Sequence, residues 1–97
     1  MTVMEFEKGP NRYFKNDDAG KLIGEVTFEQ INDDSVIVIE HTFVNPAYRH
    51  QGMAAQLVQK VIDQARAENK LINPVCSYAK SMFIKTPELK DLWYKHN

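Results

Sequence analysis

The sequence predicts a small α+β domain: a mostly antiparallel sheet that feeds one long amphipathic helix, a short parallel strand and a helical tail. Three observations predict it. Residues 22–31 alternate, with Ile23, Glu25, Thr27, Glu29 and Ile31 on one face and Leu22, Gly24, Val26, Phe28 and Gln30 on the other, as in a half-buried strand. Residues 36–44 follow the turn chemistry of Asn32-Asp33-Asp34-Ser35, and their β-branched run Val36-Ile37-Val38-Ile39 reads as the most buried strand. Ala54, Leu57, Val58, Val61, Ile62 and Ala65 then recur at spacings of three and four, an apolar helix stripe that packs on the sheet.

The remaining elements follow in order. Val3, Met4 and Phe6 suggest a short first strand, and Gly9-Pro10-Asn11 turns the chain into a second at Tyr13 and Phe14. Residues 16–20, N-D-D-A-G, form the next turn. The helix ends at Glu68-Asn69-Lys70, with Asn69 suited to a left-handed cap. Residues 71–76 read as a last strand, parallel to 36–44 through a right-handed crossover. Pro74 removes one ladder donor, which argues against a continuous, fully paired strand. Residues 77–97 read as two short helices divided near Thr86-Pro87, with Ser77 and Thr86 as N-caps. Tyr78, Met82 and Phe83 are expected to pack inward, and Leu89, Leu92 and Trp93 to form an apolar edge.

Composition bounds the function. Ninety-seven residues make a single domain, 1–97, with a thin core. The net charge of −1, without a basic block, argues for neither nucleic acid nor an anionic membrane as partner. One cysteine excludes an internal disulfide, the N-terminus lacks a signal peptide's apolar core, and no run approaches a membrane span. The expectation is a soluble cytoplasmic protein that needs no metal, with its oligomeric state open.

The stretch that carries chemistry is residues 44–54, V-N-P-A-Y-R-H-Q-G-M-A, between the buried strand and the helix. The first amides of a helix lack intrahelical partners and lie at the positive end of its dipole, so the turn is a natural anion site. Gly52 permits close backbone approach and Ala54 adds little bulk. Arg49 can fork onto two phosphate oxygens, and His50 and Gln51 add donors. This inventory suits a pyrophosphate.

Arg49-Xaa-Xaa-Gly52-Xaa-Ala54, preceded by Val44-Xaa-Pro46 and Tyr48, resembles the acyl-CoA signature of the GNAT superfamily of N-acetyltransferases. The resemblance implies a small GNAT-like fold in which the parallel pair of strands splays apart and admits the pantetheine. It implies acetyl-CoA or coenzyme A as ligand, with the pyrophosphate on Arg49, His50, Gln51, Gly52, Met53 and Ala54, and the pantetheine along Thr42, Phe43 and Val44. Cys76-Ser77-Tyr78 and the Lys-Xaa-Pro-Glu end also resemble the short YjdJ-type branch of that superfamily.

Acetyl transfer needs a neutral amine, a polarised thioester and a proton for the departing thiolate. Glu40 and His41 precede the loop on neighbouring strand positions and are expected to face opposite ways, so only one points at a given site. His41 is a candidate base, imidazole being the side chain whose chemistry suits proton transfer near neutral pH. Cys76 ends the partner strand and is a candidate nucleophile, activated by His41 and the following helix N-terminus, or else a small buried hydrophobe. Tyr78 is the candidate acid for the CoA thiolate, a role the resemblance suggests although its spacing departs from the usual pattern. Larger members insert two helices between their first strands and build the acceptor pocket with them. Here only a turn stands there, so the acceptor side is expected to be shallow. An N-acetyltransferase acting on a small-molecule or protein amine, a non-catalytic acyl-CoA-binding module and a thioesterase-like activity through Cys76 and His41 all remain open.

Overall fold

The computed structural model describes residues 5–94. Strands β1 (Glu7–Gly9), β2 (Arg12–Asn16), β3 (Leu22–Ile31) and β4 (Val36–Val44) form an antiparallel meander. Helix α1 (Met53–Glu68) carries the chain to β5 (Leu71–Pro74), which pairs parallel to β4, and α2 (Ser77–Lys85) follows. Single 3₁₀ segments occupy Pro46–Tyr48 and Pro87–Leu92. The sheet order is β1-β2-β3-β4-β5. Val3 and Met4 of the expected first strand lie outside the described residues; the strand that is described begins at Glu7, while Phe6 packs against the core.

Turn chemistry explains the β3–β4 hairpin. Asn32, Asp33 and Asp34 all take positive φ, 54°, 58° and 65°, a region that Asn and Asp tolerate better than other side chains. At the far end of α1, Asn69 adopts the left-handed cap (φ 56°) and its N–H returns to the carbonyls of Ala65 and Arg66.

The core lies on one face of the sheet. Val26 stands opposite both Tyr13 and Thr42, and Gly24 opposite Val44, so these side chains share the face that α1 covers. Leu57, Val58, Val61, Ile62 and Ala65 of α1 are fully buried there. Burying such a stripe is the main stabilising term, about 1.5–3 kcal/mol for each large side chain. Tyr13 also donates from its hydroxyl to Gln64 Oε1 on α1 at 2.6 Å. Gly24 lets the first turn of α1 sit directly on β3: a Cβ there would collide with Met53 Sδ and come within 3.3 Å of Leu57 Cδ1.

α2 packs on the same side. Ala79 and Phe83 join the core, Phe83 meets Trp93 edge to face at 5.8 Å, and Trp93 bridges to Ile72 in parallel. Successive right-handed parallel connections running in one direction place their helices on one face. The opposite face carries the rows Glu7–Phe14–Glu25–Phe43, Arg12–Thr27–His41 and Glu29–Val38, with no helix over it among the described residues.

Several local expectations are corrected. The β2–β3 register shifts beside Lys15 and Asn16, leaving Ile23 as an extra residue. Ile23 therefore turns into the core, 4% exposed, instead of joining Glu25 on the outer face. Cys76, not Ser77, holds the N-cap position of α2, and neither it nor Thr86 makes a side-chain cap bond. Tyr78 is 41% exposed while Ala79 and Phe83, four residues apart and so on one helix face, point inward.

Candidate active site

The strand pairing itself opens the site. β4 and β5 pair from Val36↔Leu71 to Ile39↔Pro74, and there the ladder stops. Pro74 has no N–H to continue it. The amides of Val75 and Cys76 both donate to Ile39 O, at 3.2 and 3.0 Å, which turns the chain away into α2. The last five residues of β4 run on without a β5 partner, and the parallel pair is splayed from Ile39 outward.

The loop after β4 closes one end of this opening. Asn45 Oδ1 accepts from Ala47 N at 3.0 Å and caps the Pro46–Tyr48 turn, while Asn45 N is tied to Ile23 O at 2.9 Å. His50 and Gly52 then take φ of 66° and 80°. Two left-handed residues within three reverse the backbone sharply and point it into α1. Gly52 is the N-cap of α1 and supplies no side-chain cap, and the first turn carries no carboxylate. The leading amides and the positive end of the dipole are thus left for an external anion. Arg49 donates from Nε to Val44 O at 3.1 Å, which holds the guanidinium beside the loop and leaves its terminal nitrogens as donors.

Between these parts lies a cleft of about 440 Å³. Thr42 and Val44 form its strand wall, Arg49, His50, Gly52, Met53 and Ala54 its loop and helix end, and Tyr78 its far wall. Tyr48 and Ala55 also line it. Sequence reasoning placed neither among the ligand contacts. Tyr48 belongs to the loop signature, and Ala55, one residue beyond the motif, has no side chain whose chemistry would single it out. Phe43 stands opposite Glu25 on the other face of the sheet, and neither Phe43 nor Gln51 lines the cleft.

The candidate catalytic residues divide between the two faces. Cys76 Sγ lies 3.4 Å from Thr42 Oγ1, so the thiol sits on the cleft side. His41 stands opposite Thr27 on the face turned away from the helices. The structure does not bring His41 and Cys76 together as an activating pair, because neighbouring strand residues point to opposite faces. The expected alternation of Glu40 and His41 is also altered. Register passes from Thr27↔His41 to Phe28↔Ile39, which makes Glu40 the extra residue of a bulge. A bulge locally breaks the two-residue period, and both side chains are exposed.

A family model described as GCN5-related N-acetyl-transferase matches residues 12–92. The chain belongs to the GCN5-related N-acetyltransferase, or GNAT, family. The solution structure of a GCN5-like protein from Staphylococcus aureus aligns over 100% of this chain and 94% of that one, at 29% identity and a TM-score of 0.78. A GNAT family N-acetyltransferase from Escherichia coli, solved in complex with CoA, is 26% identical over 63% of this chain, with a TM-score of 0.53. The match spans 37% of that longer enzyme. N-acetylglutamate synthase from Neisseria gonorrhoeae, complexed with coenzyme A and N-acetyl-glutamate, shares the fold at 21% identity and a TM-score of 0.55, over 64% of this chain and 15% of its own. No curated protein gives a significant match. The GNAT-like fold expected from the loop is therefore the observed one. Among the described residues no helix is long and apolar enough to cross a membrane.

Proposed function

We propose that this GNAT protein is an acetyl-CoA-dependent N-acetyltransferase that seats the CoA pyrophosphate on the loop from Arg49 to Ala54. The observation that carries the reading is the continuity of the uncapped α1 N-terminus, the cleft and the splayed end of β4. Backbone amides at Gly52, Met53 and Ala54 face the site's anionic group, Arg49 adds a charge-assisted donor, and Thr42 and Val44 flank the arm that leads to the splay.

The chain's residues then serve a direct transfer. The amine nitrogen bonds to the thioester carbonyl carbon, the carbon–sulfur bond breaks, a base takes the proton from the amine, and the thiolate is protonated. Tyr78, on the cleft wall, is assigned the proton donor to the thiolate. His41 and Glu40, exposed beyond the last β4–β5 pair, are assigned to the amine side, with His41 as base. Cys76 contacts Thr42 at the mouth of the splay and is assigned a positioning role there. Its replacement by Ala is expected to leave CoA affinity intact.

The test is an amide-shift titration with acetyl-CoA, followed by thiol release in the presence of amines. Shifts concentrated at residues 44–54 together with amine-dependent thiol release are expected. Binding without turnover would make the protein an acyl-CoA-binding module. Amine-independent turnover that vanishes in Cys76→Ala would make it a thioesterase.

A further inference from the structure

We infer that Thr42 and Cys76 together form the end wall of the acyl site and restrict the donor to acetyl-CoA over longer acyl-CoA thioesters. This rests on the CoA seat proposed above and adds to it the length of acyl group that the seat accepts. The cleft carries Thr42 on its strand wall, and inward of Thr42 it ends: Ile39, Pro74, Cys76 and Ala79 do not line it. Cys76 Sγ stands 3.4 Å from Thr42 Oγ1, so the two side chains meet across the splay, one from β4 and the other from the N-cap of α2. An acyl group brought along Val44 and Thr42 runs up against that contact.

Both sides of the contact are held in place. Thr42 is paired with Val26 on β3, and its branched Cβ restricts its rotamers. Cys76 is anchored through its own N–H to Ile39 O at 3.0 Å, beside the Val75 N–H on the same oxygen. Behind the pair, Ile39 and Ala79 have no exposed surface and Pro74 is buried, and Cys76 itself packs on this core. A longer acyl chain would have to press side chains into a filled interior, which close packing resists. The other way out of the splay leads toward exposed Glu40 and His41, the side assigned to the amine. A chain turned that way stands in the amine's path. A pocket that discriminates by a methylene does so by about tenfold or more.

The test measures the affinities of CoA, acetyl-CoA, propionyl-CoA and butyryl-CoA for the full chain by calorimetry. Acetyl-CoA is expected to bind as CoA does, and butyryl-CoA about tenfold or more weaker, with propionyl-CoA between them. The order in kcat/KM, with blocked lysine as the amine, should be the same. Cys76→Ala and Thr42→Ala, each checked for the parent's dispersed amide spectrum, should each raise the butyryl-to-acetyl ratio by about tenfold. Thr42→Val keeps the branched shape and removes the hydroxyl, so it should hold the parent's ratio. A parent that takes butyryl-CoA as well as acetyl-CoA, a ratio unmoved in both alanine variants, or a Thr42→Val as permissive as Thr42→Ala would each overturn the inference. Free CoA that fails to bind would overturn the cofactor site itself, and the wall with it. Binding without turnover would overturn only the transferase reading, with the affinities still deciding for or against the wall.

Discussion

Arg49 and Gly52 contribute to the site in different ways, and their variants should separate accordingly. Arg49 offers charge-assisted donors, so Arg49→Ala is expected to weaken CoA binding by on the order of 1.5–3 kcal/mol in calorimetry, with little change in thermal stability. Gly52 has open space where a Cβ would stand, but its φ of 80° disfavours any L side chain. Gly52→Ala should therefore cost about 1–2 kcal/mol of stability through backbone strain, in addition to obstructing the phosphate's approach. Gly24 is the reverse case. Its φ lies outside the left-handed region, yet an added Cβ would meet Met53 at the first turn of α1. Gly24→Ala is expected to displace that turn and lower CoA affinity without touching the ligand, and a smaller residue at 53 should restore part of it.

At the scale of elements, the splay follows from one proline and one carbonyl. Pro74 ends the ladder, and Ile39 O accepts both Val75 and Cys76. The loop and the strand it extends were legible in the sequence because their signals are local: Gly52, Arg49 and the apolar stripe of α1 each act within a few residues. The bulges at Ile23 and Glu40 were not legible, since an extra residue in a strand has no compositional signature and is set by what the neighbouring strand presents. The same limit separated His41 from Cys76, because which face a side chain takes depends on register. The α1 C-terminus offers a clean test of local chemistry. Asn69→Ala, forced into the left-handed cap, should lower stability by about 1 kcal/mol in denaturant unfolding, whereas Asn69→Gly should not lower it.

For the whole molecule, stability should respond to alkali and to ligand. Burial raises the Tyr13 pKa above its ordinary 10.0, with Glu68 and Asp63 adding in the same direction. The unfolded chain then releases this proton before the folded one does. The contribution is fully present below about pH 10 and is lost as pH rises through the higher folded value. Melting temperature should fall across that range, and Tyr13→Phe should flatten the fall while costing the bond to Gln64. Acetyl-CoA at about 100 times its Kd should add roughly 2.7 kcal/mol, an upward shift of about 10–20 °C for a domain of this size. Arg49→Ala should shrink that shift at fixed ligand.

The sequence by itself determined the order and type of most elements, the α1 stripe, the left-handed cap at Asn69 and the strand-to-helix loop that marks the family. Each depends on residues close together in the chain, where side-chain period and backbone preference act directly. Only the tertiary structure decided which side chains share the cleft. Tyr48 and Ala55 entered it, Phe43 and Gln51 did not, and His41 came to the face away from Cys76. It also put both helices on one face of the sheet, so that among the described residues no helix covers the other. These outcomes rest on strand register and on the side taken by two parallel crossovers, quantities that exist only once separate segments have paired and packed.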